Sequence, residues 1–306
     1  MIITKLKGGL GNQMFQYATG LAVASKQNEE FKLDASGYDD VRYINADTPR
    51  TYRLFPFNIS ADVATTEEVK KYKYPFGIFS KALRFLNYRI LKRNFYFDYH
   101  PEFFKQNNKY IEGYFQSEKN FIDIKDKIIK SFTLKKEFES EYFLSEKNKI
   151  LGARNNKDIH GQQSDDVNES VSVSIHIRRG DYVNDEKTKN FHGGCNKEYY
   201  EKAMEIVKTK VDSPIFYFFS DDIEWVKKEF MEGGNFVYVS NSKLQDYEEL
   251  ILMSLCANNI IANSSFSWWG AWLNKNPNKI VISPKKWLNV EPDPQPNIVP
   301  EEWIRV

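Results

Sequence analysis

Cysteine and histidine are both scarce in this chain. Its 306 residues include two cysteines, Cys195 and Cys256, and four histidines. The cysteines lie far apart in sequence, and neither forms a CxxC pair or joins a histidine-rich cluster. This pattern excludes a disulfide framework and a structural zinc site. A reducing compartment fits such cysteine usage.

An excess of charge of either sign is also missing. Lysine and arginine total 43, aspartate and glutamate total 42, and the formal net charge is +1. The chain as a whole therefore produces no field that would attract nucleic acid or a membrane, and we expect no nucleic-acid partner. Any anionic ligand must be bound by a local group of side chains.

Long hydrophobic runs are absent as well. Residues 1–7 are too short for the apolar part of a signal peptide, and the apolar stretch at 250–262 is interrupted by Ser254, Asn258 and Asn259. No run approaches the 18 or so apolar residues that a membrane-spanning helix needs. We therefore expect a soluble, cytoplasmic protein.

The length of the chain predicts two domains of about 150 residues each. Residues 154–170 are rich in Asn, Asp, Gln, Ser and Gly, which marks a linker, and we place the boundary there, with domains at 1–165 and 166–306. After the linker, strands and helices alternate up to residue 282, which indicates a parallel, doubly wound α/β sheet. The first domain opens with a strand at 2–6, a glycine loop and a helix at 13–26.

The segment 171–181, VSVSIHIRRGD, gives the strongest indication of a site. Strand alternation places His176 and Arg178 on the same face, while Arg179 points the opposite way. A glycine then ends the strand, so we expect both side chains at the carboxyl edge of the sheet, where open α/β sheets bind ligands. A guanidinium matches phosphate, and Asp181 would hold it in place. A surface ion pair without a ligand is the alternative.

The glycine loop after the first strand suggests a second ligand contact. Gly9 and Gly11 fit a dinucleotide fingerprint, but Met14 occupies its third small position, and the Lys-Ser/Thr of a phosphate-binding P-loop is missing. This mismatch argues against a nucleotide-dependent oxidoreductase. Asn12 and Gln13 offer amide groups that suit a sugar hydroxyl or a pyrophosphate. A purely structural tight turn is the alternative.

Two further patterns each allow a structural and a functional interpretation. The serine-rich turn at 263–267 opens a helix, where hydroxyls and backbone N–H groups cradle an anion or simply cap the helix. Trp268 and Trp269 are more typical of a core than of a sugar platform. Glu249 lies near the start of a helix predicted at 246–256. Its carboxylate either interacts favourably with the helix dipole or accepts hydrogen bonds from a purine edge.

Asp221 and Asp222 end the strand predicted at 215–219. Adjacent acids suggest a metal, but metal-dependent sugar-nucleotide enzymes commonly use a carboxylate–x–carboxylate pair, and these two acids lie opposite an arginine-rich strand. We therefore expect no metal. Either acid is equally suited to cap the following helix or to hold a nucleotide.

The stretch between Phe79 and Arg93 has helical spacing, with Leu83, Leu86 and Ile90 on one stripe and basic residues around it. It predicts a basic amphipathic helix that covers the core. Contact with anionic lipid, a lipid-linked acceptor or a partner is the alternative, so any membrane contact would be peripheral.

Four motifs together carry a resemblance to a known family. They are GGLGNQMFQY at 8–17, EGYFQS at 112–117, HIRRGDY at 176–182 and NSSFSWWGAWL at 263–273. In this order they resemble the motifs of bacterial α-1,2-fucosyltransferases, glycosyltransferase family 11. The resemblance covers nearly the whole chain and diverges around 35–100 and 140–170.

The resemblance implies an α/β fold of the GT-B type, with two Rossmann-like domains facing across a cleft. The first domain would lie on the acceptor side and the second would bind GDP-fucose. The implied reaction is an inverting, metal-independent transfer of L-fucose from GDP-β-L-fucose to the 2-hydroxyl of a terminal galactose in a glycan, in surface polysaccharide synthesis. No cofactor is implied, because GDP-fucose is a substrate. The alternatives are a same-fold transferase with another donor or acceptor, and a non-catalytic glycan-binding protein.

The resemblance also implies roles for particular residues. Arg178 would grip the diphosphate and stabilise the charge that develops on GDP, with His176 beside it. The catalytic base stays open among a carboxylate, His192 and the leaving phosphate. The residues expected to bind the donor are Gly9, Asn12, Gln13, Asp181, Asp222, Glu249, Ser265, Phe266 and Ser267.

Overall fold

A computed structural model describes residues 1–39, 50–86, 97–99, 101–105, 109–152, 170–180, 194–231, 235–290 and 297–306. The chain forms two compact units. The first comprises Met1–Lys135 and Pro294–Pro300, and the second comprises Lys136–Asp293 and Glu301–Val306. Both units are built from parallel strands and helices, as expected for an α/β protein.

The first unit contains a four-stranded parallel sheet in the order β3-β2-β1-β4. Its strands are β1 (Ile2–Lys5), β2 (Phe31–Asp34), β3 (Asp62–Val63) and β4 (Tyr110–Ile111), and its helices are α1 (Leu10–Gln27), α2 (Thr66–Lys73), α3 (Gly77–Phe85) and α4 (Lys125–Ser131). The sequence predicts β1 and α1, whereas β2, β3 and β4 are short and were not predicted.

Helix α1 packs closely on its sheet because a glycine faces the strands. A Cβ atom at Gly20 would stand 2.2 Å from Thr4 Oγ1 and 2.5 Å from the ring of Phe31, so any side chain here would force the helix off the sheet. One turn earlier in α1, the Tyr17 hydroxyl lies 3.1 Å from Ser131 Oγ at the end of α4. These contacts hold α1 against its sheet and against α4.

The second unit contains a six-stranded parallel sheet in the order β10-β9-β8-β5-β6-β7. The elements, in chain order, are α5 (Glu141–Gly152), β5 (Val171–Ile177), α6 (Lys197–Lys208), β6 (Pro214–Ser220), α7 (Ile223–Glu229), β7 (Asn235–Tyr238), α8 (Asp246–Leu255), β8 (Asn258–Ile260), α9 (Ser265–Trp272), β9 (Val281–Ser283) and β10 (Ile304–Arg305). The predicted doubly wound sheet is confirmed, and β10 is an additional strand.

The two faces of β5 follow the predicted alternation. Val173, Ile175 and Ile177 join one core cluster with α6 and α7. On the opposite face, the His176 ring packs against Phe266 of α9, with 5.3 Å between the ring centroids. The strand is buried on both sides, which is the arrangement expected in a parallel sheet.

The boundary between the units lies near residue 135, not at 165. Helix α5 belongs to the second unit, where it packs on α8 and where Glu248 Oε1 accepts a hydrogen bond of 2.8 Å from Ser140 N. Residues 294–300 return to the first unit, where Asn297 N donates to Asp98 Oδ2 at 2.8 Å. The polar segment at 154–170 interrupts the pattern of apolar residues, but it does not show which of the two hydrophobic cores the preceding helix, α5, packs on.

Helix α3, Gly77–Phe85, includes the first part of the helix predicted between Phe79 and Arg93. The rest of that prediction, at 87–93, lies outside the described residues. Across the ranges that are described, none of the helices is both long enough and apolar enough to cross a membrane.

Candidate active site

The two arginines after β5 diverge, as the sequence predicts. Arg178 Nη1 lies 2.8 Å from Asp221 Oδ2 at the carboxyl edge of the sheet. Arg179 turns towards α7, where its guanidinium lies 3.7 Å from the centroid of the Trp225 ring and its Nε lies 3.2 Å from an oxygen of Asp222. Arg178 is therefore the arginine that pairs with Asp221 at the carboxyl edge of the sheet, and Arg179 braces the neighbouring helix.

Asp221 holds this turn in place. Besides pairing with Arg178, it accepts hydrogen bonds from Arg179 N at 2.9 Å and from Gly180 N at 3.0 Å. A Cβ atom at Gly180 would come within 2.6 Å of Asp221 Oδ2, so glycine permits this approach. The sequence assigned the holding role to Asp181, which lies outside the described residues. Only the position of Asp221 at the end of β6 pointed to this second carboxylate.

Asp222 serves the scaffold, and the donor-binding role expected for it does not fit its contacts. One of its oxygens accepts a hydrogen bond from Trp225 N at 3.2 Å, which caps α7, and the other pairs with Arg179. These contacts match the helix-capping alternative for Asp222. The described part of the chain contains no group of three or more potential metal ligands among its His, Cys, Asp and Glu side chains.

His176 lies buried beneath the same edge. Desolvation, reinforced by the charge of Arg178, lowers the pKa of His176 to about 3, so its imidazole is neutral at physiological pH. Its Nδ1 atom has no hydrogen-bond partner among the described residues. Buried polar atoms are almost always paired, so this atom calls for a water or a ligand. A group with so low a pKa is a poor general base, but it can make a hydrogen bond without adding charge.

Glu249, in the first turn of α8, has an unusual protonation equilibrium. Burial raises its pKa to about 7, the carboxylates of Asp246, Asp221 and Glu248 add to the shift, and a hydrogen bond with Ser240 opposes it. The influence of Asp221 puts Glu249 near the edge that carries Arg178. A carboxyl group that titrates near neutrality is typical of functional sites, although ion networks also produce such shifts.

The turn before α9 contributes fewer exposed groups than the resemblance implies. Ser264 caps the helix by accepting a hydrogen bond from Phe266 N, and Ser265 and Phe266 are partly exposed. Ser267 is buried, with its hydroxyl 3.2 Å from Ser264 O and 3.3 Å from Ala262 O, so it supports the turn rather than lining a pocket. Trp268 and Trp269 are fully buried, which confirms them as core residues.

Gln13 in the first unit builds the glycine loop instead of facing a ligand. It is fully buried, and its Nε2 donates to Gly8 O at 3.1 Å and to Thr51 O at 2.8 Å. Its Oε1 accepts from Arg53 N at 2.9 Å. Every polar atom of this side chain is therefore used by the backbone around it, and the ligand contact expected of Gln13 is wrong.

Asn12 lies beside this loop and remains partly exposed. Its Oδ1 accepts a hydrogen bond of 2.6 Å from Gln116 Nε2. Gly8 adopts a φ of +80°, and a Cβ atom there would approach Asn12 Nδ2 to 2.6 Å, so glycine is needed on both counts. Gly9 precedes α1 and lies close to Arg50, because a Cβ atom on Gly9 would be 3.2 Å from Nη1.

The motif at 112–117 meets the glycine loop at the end of β4, a juxtaposition that the sequence did not predict. Gly113 O accepts from Gln16 Nε2 at 3.1 Å, and the Lys7 amine lies 4.6 Å from the centroid of the Tyr114 ring. Burial lowers the pKa of Lys7 to about 8, although Glu112 opposes that shift. Lys7 lies two residues after β1, and this position near the carboxyl end of the strand is the signal that could have identified it.

A cavity of about 400 Å³ opens at the carboxyl ends of β8 and β9 in the second unit. Asn263 and Cys195 contribute to its wall, with Lys285 and Lys286 also lining it. Burial raises the pKa of Cys195 to about 11, so this thiol is not an activated nucleophile. The two lysines follow β9 after Pro284, and the sequence analysis did not single them out.

Comparison with known proteins gives a consistent result. The model of the family described as Glycosyl transferase family 11 matches residues 1–306. An O-antigen biosynthesis glycosyltransferase, WbnK, of Escherichia coli is 33% identical over 92% of this chain and 93% of its own length. An alpha-1,2-colitosyltransferase of Escherichia coli is 32% identical over 100% of this chain and 99% of its own length. A galactoside 2-alpha-L-fucosyltransferase, Sec1, of Mus musculus is 25% identical over 89% of this chain and 64% of its own length.

The fold has a counterpart among solved structures. The NodZ alpha-1,6-fucosyltransferase co-crystallised with GDP superposes with a TM-score of 0.52 at 12% identity, covering 88% of this chain and 90% of that one. The expected GT-B architecture with two Rossmann-like sheets is thereby confirmed. By the match along its full length and by its relatives, this chain belongs to glycosyl transferase family 11.

Proposed function

We propose that this glycosyltransferase is a galactoside α-1,2-fucosyltransferase. It would transfer L-fucose from GDP-β-L-fucose, with inversion, to the 2-hydroxyl of a terminal galactose in a surface polysaccharide. The observation that supports this proposal most is Arg178, which Asp221 holds at the sheet edge above the buried, neutral His176. Such a guanidinium is suited to a diphosphate.

The proposed chemistry depends on charge. When the bond between fucose C1 and oxygen breaks, negative charge grows on GDP, and a guanidinium that is already positioned stabilises that charge without reorganisation. Asp221 supplies the positioning through its ion pair with Arg178. Asp221 and Asp222 are each matched by an arginine, which favours a mechanism without a divalent metal or another cofactor.

In this proposal the second unit is the GDP-fucose-binding domain. Glu249 would accept hydrogen bonds from N1 and N2 of guanine, and Ser265 and Phe266 would contribute to the nucleotide pocket. The first unit would be the acceptor-side domain. Gly9 and Asn12 remain its candidates for contact with a sugar hydroxyl or a phosphate, because the side chain of Gln13 is consumed by the loop.

A second candidate donor deserves a direct comparison. The relative that is 32% identical over the whole chain is an alpha-1,2-colitosyltransferase, so a nucleotide-linked colitose is an alternative to GDP-fucose. Both candidates use the same diphosphate contact and differ in the sugar. The enzyme would act in the cytoplasm, with peripheral contact to the inner membrane through the segment between Phe79 and Arg93.

The test is a transfer assay with GDP-fucose and with the colitose nucleotide, each offered with a panel of galactose-terminated glycans, in buffer containing EDTA. We expect an α-1,2-linked fucosyl product, identified by NMR, at an unchanged rate in EDTA. Preferred use of the colitose donor would replace the fucosyl assignment. A loss of more than about tenfold in EDTA that Mg²⁺ restores would contradict the metal-free mechanism, and no transfer from either donor would contradict the proposed activity.

A further inference from the structure

Helix α3 turns its apolar side away from the protein. Ile78 is 85% exposed, Phe79 is 70% exposed and Phe85 is 62% exposed. Ser80, by contrast, is buried, and its hydroxyl accepts a hydrogen bond of 2.9 Å from Phe76 N. An ordinary surface helix buries its apolar stripe, whereas these apolar side chains of α3 are exposed.

The exposed residues of α3 form one continuous stripe. At about 100° of rotation per residue, Ile78, Phe79, Ala82, Phe85 and Leu86 fall within roughly 120° of each other, and Ser80 falls on the opposite side. Phe76, just before the helix, is also exposed. Half of the exposed large hydrophobic residues in the described ranges lie in this eleven-residue segment, 76–86. Such a cluster marks an interaction surface, whereas single exposed apolar residues need no explanation.

The charges of the surrounding sequence indicate what this surface meets. Residues 69–97 contain five lysines and three arginines and no aspartate or glutamate, although the whole chain has a net charge of only +1. Lys71 and Lys81 are exposed at α2 and α3. A bulky apolar stripe within a purely basic segment is complementary to an anionic lipid surface, which accepts the apolar side chains and attracts the cations.

We propose that segment 76–86 is a membrane-docking helix that inserts its apolar stripe into an anionic bilayer. The helix would lie in the plane of the interface. Phe79 and Phe85 would reach below the headgroups, and the lysines would lie at the level of the headgroups. This proposal rests on the peripheral membrane contact proposed above, and it adds the face and the depth of that contact. It does not depend on which sugar nucleotide the enzyme uses.

The test is co-sedimentation with vesicles of phosphatidylcholine and phosphatidylglycerol, with pure phosphatidylcholine vesicles for comparison. We expect the wild-type protein to bind the anionic vesicles. The partition coefficient of F79S/F85S should be lower than that of the wild type by about tenfold or more. M231S is the matched control, because Met231 is 72% exposed in the second unit, outside any basic segment. This control should bind as the wild type does. All three proteins should melt at the same temperature, since the replaced side chains are exposed.

A second measurement reports insertion directly. Tryptophan introduced by F79W should be quenched by brominated phosphatidylglycerol vesicles, beyond the quenching seen in the wild-type protein. Absence of wild-type binding, equal binding by F79S/F85S, or unquenched F79W would overturn the proposal. The proposal would also be overturned if the wild-type protein were a dimer that does not bind vesicles and F79S/F85S were a monomer, because the apolar stripe would then pack against a second copy of the chain. Transfer activity in detergent solution, measured separately, tests the donor and acceptor proposal.

Discussion

The turn after β1 and the turn after β5 are built on the same plan but leave different groups at the surface. Each follows a parallel strand and needs a glycine for a close approach, Gly8 over Asn12 and Gly180 over Asp221. In the first unit the amide of Gln13 is satisfied by three hydrogen bonds with backbone groups. In the second unit the guanidinium of Arg178 stays at the edge, held by a carboxylate.

The difference follows from the cost of burying each group. A neutral amide can be buried at little cost once backbone groups satisfy its donors and its acceptor, so an amide near a turn is readily drawn into the scaffold. A guanidinium carries a charge that is costly to bury, so it stays near solvent unless it is fully paired. Charge at a strand edge is therefore a better guide to a binding group than an amide in a glycine loop.

The largest expected effect comes from Arg178→Lys, which keeps the charge and loses the planar fork. Charge on GDP is greatest in the transition state, so kcat should fall by about 10²–10³ while the KM for GDP-fucose changes less. Steady-state kinetics with the donor found in the transfer assay measure both quantities. Arg179→Lys is the control, and it should lower the melting temperature, through lost stacking on Trp225, with turnover close to normal. Normal turnover in a folded Arg178→Lys enzyme would contradict the central assignment.

The adjacent acids offer a matched pair for the next prediction. Asp221→Asn removes the charge that pairs with Arg178. It keeps an acceptor oxygen for only one of the backbone N–H groups of Arg179 and Gly180, because these two groups donate to different oxygens of Asp221. We expect kcat to fall by roughly 10–100-fold, with a smaller change in KM, because a loosened guanidinium stabilises the transition state less well.

Asp222→Asn should behave differently, because Asp222 contacts Arg179 and caps α7. We expect a lower melting temperature and a kcat within about twofold of the wild-type value, since Asn is also a good capping residue. Equal losses of kcat in the two variants would show that Asp221 acts on the stability of the turn and not on Arg178.

The sequence is sufficient to predict the parts of this protein that repeat a local pattern. The alternation along β5 correctly places His176 on the face opposite Val173, Ile175 and Ile177. The two-residue strands β3 and β4 could not be predicted, because two residues carry no periodicity. The roles of Asp221 and of the motif at 112–117 depend on contacts between distant segments, which no local pattern encodes.

The third prediction concerns Glu249, whose pKa of about 7 means that its carboxyl group titrates near neutral pH. If its carboxylate accepts hydrogen bonds from guanine, GDP binding should strengthen as the pH rises through about 7, and Glu249→Gln should bind GDP roughly tenfold more weakly at pH 8 with little dependence on pH. Calorimetry of GDP binding from pH 6 to 8 measures this difference. Asp246→Asn, which removes a charge from the same helix start, should retain the pH dependence.

Stability gives an independent measure of the same group. The folded protein holds a proton on Glu249 that the unfolded chain, with a pKa near 4.5, releases. The contribution of Glu249 to the free energy of unfolding should therefore decrease as the pH rises from 4.5 to about 7 and stay constant above that. Urea unfolding across this range should show a steeper decline for the wild-type protein than for Glu249→Gln. Parallel curves would mean that the carboxyl group is ionised at its ordinary pKa and serves only the helix start.

The smallest functional effects are expected in the glycine loop, and they return to the contrast between the two turns. Gln13→Leu removes the Gln13 hydrogen bonds of Thr51 O and Arg53 N, whereas Gly8 O keeps the hydrogen bond that the Tyr38 hydroxyl donates to it, so the substitution should lower stability by about 1–3 kcal/mol for each group left unsatisfied. Where the variant is folded, its KM values should stay near normal. Asn12→Ala should show the opposite behaviour, with a few-fold higher KM and an almost unchanged melting temperature, because Asn12 is partly exposed. Urea unfolding and steady-state kinetics on both variants separate the two roles. A large rise in KM for a stable Gln13→Leu variant would mean that this amide does contact a substrate. The contrast between the buried amide of Gln13 and the guanidinium of Arg178 at the sheet edge would then be wrong.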